Sequence, residues 1–123
     1  MKNDRRVLLA LTLSLAGVAH AQDLALSYTD EQADGALPLY QSTCASCHGG
    51  NFDDGALGPP LKGVQFMQKF GGGTAAELYA LLQTTMPTGQ PGTLAPSEYA
   101  GLTALILREN LIVAGQAEGV LGN

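Results

Sequence analysis

The chain has 123 residues, 14% of them charged, with two cysteines, no tryptophan and a formal net charge of −5. That length fits one domain and excludes barrel enzymes and two-domain nucleotide enzymes. The acidic balance excludes the basic patch that a nucleic-acid binder needs to neutralise phosphates, and 46% hydrophobic residues exclude a disordered tail.

The N-terminus opens with Lys2, Asp4, Arg5 and Arg6, continues in an apolar run from Val7 to Val18, and reaches Ala19-His20-Ala21, a small-x-small cleavage pattern. This is the order of a secretory signal peptide. The run is shorter than the roughly 20 apolar residues of a membrane-spanning helix. The expectation is a cleaved signal peptide at 1–21, a mature domain at 22–123 with no membrane span, and a periplasmic location. An uncleaved anchor is the alternative, and the Arg5-Arg6 pair leaves the export route open. After cleavage three cations (Lys62, Lys69, Arg108) face ten acidic residues, a net charge of −7, and His48 is the one remaining histidine.

A first helix is predicted from near Thr29 into the cysteine region. Thr29 and Gln32 have capping-box spacing, Asp30 and Glu31 suit a helix N-terminus, and Leu37, Tyr40 and Cys44 share a face. Pro38 predicts a kink or restart, because it removes one helical hydrogen bond. Residues 44–48 then read Cys44-Ala45-Ser46-Cys47-His48, the C-x-x-C-H signature of c-type haem attachment. Two thiols three residues apart lie on one turn of backbone and can add to the two vinyl groups of one porphyrin. The next residue brings an imidazole to the iron. Three other readings compete. A local disulfide closes too small a loop to stabilise much. A thioredoxin-type pair belongs after a strand in a βαβ pattern, which this sequence lacks. A zinc site wants four ligands, and two Cys and one His leave a Cys/His set one short.

Residues 49–63 are rich in Gly, Asp and Pro and read as loop. A short helix is predicted at Val64–Phe70, broken by Gly71-Gly72-Gly73. Thr74 and Glu77 form a second capping box, opening a helix to about Thr84 with Leu78, Leu81 and Leu82 on its apolar face. The last helix is predicted to start at Pro96, with Glu98 in its first turn and Tyr99, Leu102, Ile106 and Asn110 on one stripe. No strand-period segment of any length occurs. Met67, set between Phe66 and Phe70, reads as core filling. Met86 ends a helix and enters a Gly/Pro-rich loop with too few apolar side chains to explain a methionine by packing. It is the better placed second donor to iron, with Met67 the alternative.

Beyond the haem motif, the chain resembles class I c-type cytochromes over nearly all of residues 29–118. Gly58-Pro59-Pro60-Leu61-Lys62-Gly63 resembles the family's G-P-x-L-x-G segment, Met86-Pro87 its distal ligand loop, and Leu94-Ala95-Pro96-Ser97-Glu98-Tyr99 the entry to its C-terminal helix. Residues 110–118 resemble the short tail of cytochrome subunits of quinoprotein dehydrogenases. The resemblance implies an all-α small cytochrome c fold, three to five helices around one covalent haem c held through Cys44 and Cys47, with first and last helices packed together. It implies His48 and Met86 as axial ligands, the Pro59 carbonyl as acceptor for the His48 ring, and Leu61, Phe66, Phe70 and Leu94 along the haem wall. Two positions depart from the family. Ala36 stands where a glycine allows close helix crossing, so the crossing is expected to be wider or shifted, and Leu105 stands where an aromatic is common. The implied function is single-electron transport between a donor dehydrogenase and an oxidase or other cytochrome. A fixed subunit of a quinoprotein dehydrogenase and a haem-based sensor or gas-binding module are the alternatives.

Overall fold

A computed structural model describes residues 28–112. The expected signal peptide and residues 113–118 of the tail lie outside the described residues. Among those described, the chain forms five helices and no strand: α1 (Asp30–Thr43), α2 (Ala45–His48), α3 (Gly63–Phe70), α4 (Ala75–Thr85) and α5 (Pro96–Glu109). The architecture is the expected all-α one. Local sequence sets the starts of the longer helices. Gln32 N–H donates to Thr29 Oγ1 at 3.2 Å while Thr29 N–H donates to Gln32 Oε1 at 2.8 Å, and Thr74 and Glu77 repeat the exchange at α4. Pro96 opens α5, where its missing N–H costs nothing, and the Glu98 carboxylate accepts from Ala95 N–H at 2.7 Å.

Of the kink or restart expected at Pro38, the restart does not occur; the helix runs unbroken to Thr43. Pro38 and Asp34 both lie on the exposed side, so the carbonyl left without a donor faces water, where the missing bond costs least. The helical path changes at Cys44, just past the end of α1, and α2 carries the second cysteine and the histidine.

Helices α1 and α5 form the main packing pair, with α4 against the other side of α5. At the crossing Ala36 meets a glycine of the opposite helix. A Cβ added to Gly101 would lie 3.1 Å from Ala36 Cβ and 3.4 Å from the Gln32 carbonyl oxygen. The smallest residue at this contact is therefore Gly101 of α5, with Ala36 of α1 against it. From Leu102 to Leu107 every residue of α5 is buried, as expected for a helix covered on several sides.

Two apolar clusters result. Ala33, Ala36, Tyr40, Phe52, Leu102, Ala104 and Leu105 form the first, and Phe66, Ala75, Leu78, Ile106, Leu107 and Ile112 the second. Leu61 and Leu82 pack against both. At the end of α5, Asn110 Nδ2 donates to the carbonyls of Leu61 (2.9 Å) and Ile106 (2.8 Å), and its Oδ1 accepts from Gly63 N–H at 3.0 Å. One side chain therefore caps α5 and ties down the entry to α3. The Tyr28 hydroxyl donates to the Ile112 carbonyl, and Arg108 pairs with Asp34, joining the two ends of the described chain.

Candidate functional site

The site grows from the junction of α1 and α2. Cys44 ends α1 and precedes α2, and its N–H donates to the Tyr40 carbonyl at 2.8 Å. His48 N–H donates to the Cys44 carbonyl at 3.0 Å, closing one turn that holds Cys44, Cys47 and His48. Both cysteines are free thiols, half-buried. Burial pushes the Cys44 thiol up to about 11, with the neighbouring Cys47 adding to the effect. Beneath this turn, Tyr40 donates its buried hydroxyl to the Gly49 carbonyl at 2.7 Å and stacks on Phe52 with ring centroids 3.9 Å apart. Phe52 adopts φ 67°, a left-handed backbone that costs a non-glycine residue about 1–2 kcal/mol. The stack on Tyr40 and the bond from Leu61 N–H to the Phe52 carbonyl (2.6 Å) hold it there.

His48 is buried, and its Nδ1 lies 2.7 Å from the Pro59 carbonyl oxygen. A carbonyl can only accept, so Nδ1 carries the proton and Nε2 is left with a free lone pair. That bond also fixes the orientation of the ring. The backbone reaches the ring because residue 58 is glycine: a Cβ there would come within 2.8 Å of both Cε1 and Nδ1 of His48. Gly58 N–H in turn donates to the Cys47 carbonyl at 2.8 Å. The expected partnership of His48 with Pro59 is thus present.

Two unlinked thiols on one turn, followed by an imidazole with its Nε2 free, are the donor set for a covalently attached haem with one axial nitrogen. The residues fit that group. The alternatives lose their footing in the same observations. The thiols are not bonded to each other, the described residues contain no strand for a thioredoxin-type site, and among them no His, Cys, Asp and Glu gather in a group of three or more that could hold a metal.

The remaining candidates divide. Cys44, Leu61 and Leu94 all pack against the first apolar cluster. Phe66 is only 1% exposed and enclosed by the second cluster, with Phe70 tilted against it at 4.9 Å. In this structure Phe66 packs the core between α3, α4 and α5. Met67 packs against the same cluster, the core-filling role read from its setting. Met86 caps the C-terminus of α4 and is half-buried, and its Sδ accepts from Thr88 Oγ1 at 3.5 Å. Sequence reasoning missed Tyr40, Phe52, Gly101 and the bridging roles of Tyr99 and Asn110. Only the aromatic character of Tyr40 and Phe52 near the cysteine motif offered any signal.

An all-α domain whose first and last helices cross at a glycine, with a C-x-x-C-H turn between them and a proline carbonyl on the histidine, is a class I c-type cytochrome. The family described as cytochrome c oxidase, cbb3-type, subunit III matches residues 31–106, and the chain belongs to that family of c-type cytochrome domains. No curated protein and no solved structure matches the chain. Membership implies haem c and a haem-based electron carrier rather than a catalyst. The matched span ends before the tail, so the likeness of residues 110–118 to quinoprotein dehydrogenase subunits draws no support from it. No helix among the described residues is long and apolar enough to cross a membrane.

Proposed function

We propose that the chain is an exported, periplasmic single-haem carrier in which His48 and Met86 supply both axial donors, passing one electron at a time from a donor dehydrogenase to a terminal acceptor. The observation that carries this reading is the fixed His48 ring beside two free thiols. Met86 joins it because its sulfur sits at the end of α4, in a loop built of Pro87, Gly89, Pro91 and Gly92 rather than of packing residues. Bound haem would supply an iron that cycles between Fe(III) and Fe(II), with the thioether ligand favouring the reduced state. The protein's part is to hold the imidazole by its Nδ1 proton, to keep both thiols on one turn, and to close the second axial side. A closed pair of ligands leaves no room for a gas or a peroxide, which disfavours the sensor reading.

Among the described residues, eight acids outnumber three cations. Arg108 and Lys62 pair with Asp34 and Glu109. A basic partner face and a salt-sensitive encounter suit this surface. The subunit reading keeps one observation of its own: Leu111 is 90% exposed at the start of the tail. Co-purification with a dehydrogenase would favour it.

The test is the near-infrared absorption of the oxidised protein. Wild type and Met67→Ala show the methionine–iron band, and Met86→Ala loses it. Loss of the band in Met67→Ala, with retention in Met86→Ala, would overturn the assignment.

A further inference from the structure

The loop from Met86 to Gly92 contains few apolar side chains, yet both of its ends are held by one group. Tyr99 stands in the first turns of α5 and is 1% exposed. Its hydroxyl donates to the Met86 carbonyl at 2.7 Å and accepts from Gly92 N–H at 2.9 Å. The same oxygen closes the loop at its first and last residues. Between them, Gln90 N–H donates to the Pro87 carbonyl at 2.9 Å and Thr93 Oγ1 to the Gln90 carbonyl at 2.8 Å. These bonds shape the loop within itself. Tyr99 alone among them anchors it to another helix.

The anchor is itself rigid. Tyr99 N–H donates to the Ala95 carbonyl at 3.1 Å, its carbonyl accepts from buried Thr103 Oγ1 at 2.8 Å, and its ring meets Tyr79 of α4 edge-on at 6.3 Å. Tyr99 is therefore fixed by α5 and by α4, the helix that ends at Met86. Two polar groups that would otherwise be left part-buried and unpaired are satisfied together, and a phenylalanine in its place would satisfy neither.

We infer that Tyr99 is the positioning residue of the distal loop: its hydroxyl bridges the Met86 carbonyl and Gly92 N–H and so holds the Met86 sulfur in place as the second axial donor. The inference rests on the reading of Met86 as ligand and adds what keeps that ligand from swinging out. Loss of the bridge raises the fraction of molecules with the loop open. A small ligand that binds only the open form then binds more tightly in proportion.

The test compares holoprotein of wild type, Tyr99→Phe, Tyr79→Phe and Met86→Ala. Four quantities are read: imidazole binding to the oxidised protein, amide exchange at Gly92, the near-infrared band and the far-ultraviolet melting curve. Tyr99→Phe keeps the ring and its packing, so its melting midpoint falls only by the several degrees that the lost bridge accounts for. Its affinity for imidazole rises about tenfold, the equivalent of about 1.4 kcal/mol, and Gly92 exchanges faster by a similar factor. Tyr79→Phe, whose ring packs beside the bridge without joining it, matches wild type in both. If Tyr99→Phe binds imidazole like wild type while Met86→Ala loses the near-infrared band, the positioning role is wrong and the ligand assignment stands. If Tyr99→Phe melts earlier while imidazole affinity and Gly92 exchange stay at the wild-type values, the residue is merely structural and the inference is overturned. If Met86→Ala keeps both the band and the wild-type imidazole affinity, the ligand assignment itself fails and the inference falls with it.

Discussion

The crossing of α1 and α5 gives a sharp quantitative prediction. In Gly101→Ala the new methyl would sit 3.1 Å from Ala36 Cβ, inside the roughly 3.5–4.0 Å that carbon pairs prefer. The helices must part by about half an ångström, a cost of about 1–3 kcal/mol for an overpacked interface. Against that stands a gain of about 1 kcal/mol from replacing glycine in a helix interior. The single substitution is therefore destabilising by about 0–2 kcal/mol, and Gly101→Leu, with three further carbons to place, by about 3 kcal/mol or more. The decisive variant is the exchange. Ala36→Gly alone loses about 1 kcal/mol through helix propensity, but in Ala36→Gly/Gly101→Ala it removes the clash and returns the small residue to α1. Denaturant unfolding of the holoproteins, followed by circular dichroism, should show the double variant more stable than the sum of the singles by about 1–2 kcal/mol. Additivity within about 0.3 kcal/mol, or a tolerated Gly101→Leu, would refute the claim that the helix backbones meet at this point.

Three further outcomes follow from the geometry. Gly58→Ala brings a Cβ to 2.8 Å from the His48 ring; the His48–Pro59 bond is lost, the Nδ1 proton exchanges about tenfold faster by nuclear magnetic resonance, and an unchanged exchange rate would count against the contact. Asn110→Ala removes two hydrogen bonds between the end of α5 and residues 61–63 and one within α5 and should lower stability by about 1–3 kcal/mol in denaturant unfolding; a loss under about 0.5 kcal/mol would contradict the staple. The Asp54 carboxylate is held below its ordinary value, first by the bond from Asn51 N–H and then by the Asn51 side chain. Its contribution is complete above the ordinary carboxylate value and lost as pH falls through the depressed one, because the unfolded chain binds the proton first. Stability of Asp54→Asn should fall less steeply than wild type across that acid window, and equal slopes would show that the loop bond contributes nothing.

What could be read from the sequence was local. The capping boxes at Thr29/Gln32 and Thr74/Glu77 and the proline at Pro96 set helix starts within one residue of those observed, because their chemistry spans three or four residues. The C-x-x-C-H turn is local in the same sense, and the Pro59 partner followed from a resemblance. The features that escaped depend on register between distant segments. Whether Ala36 faces Gly101 is decided by the pairing of two helices 65 positions apart. The Tyr99 bridge needs α5 laid beside the end of α4, and the Asn110 staple reaches back to Leu61. The continuity of α1 through Pro38 depended on which side of the helix met solvent, a question periodicity answered only in part. Phe66 packs within the second apolar cluster, a place that suits an aromatic side chain as well as the haem wall does.

The most direct test of the account is the intact mass and visible spectrum of the exported protein under denaturing conditions. Covalent retention of one haem per chain is predicted in wild type, with loss of that attachment when Cys44 and Cys47 are both replaced by alanine. A denatured wild-type chain that runs free of pigment at the mass of the bare polypeptide would contradict the account at its base.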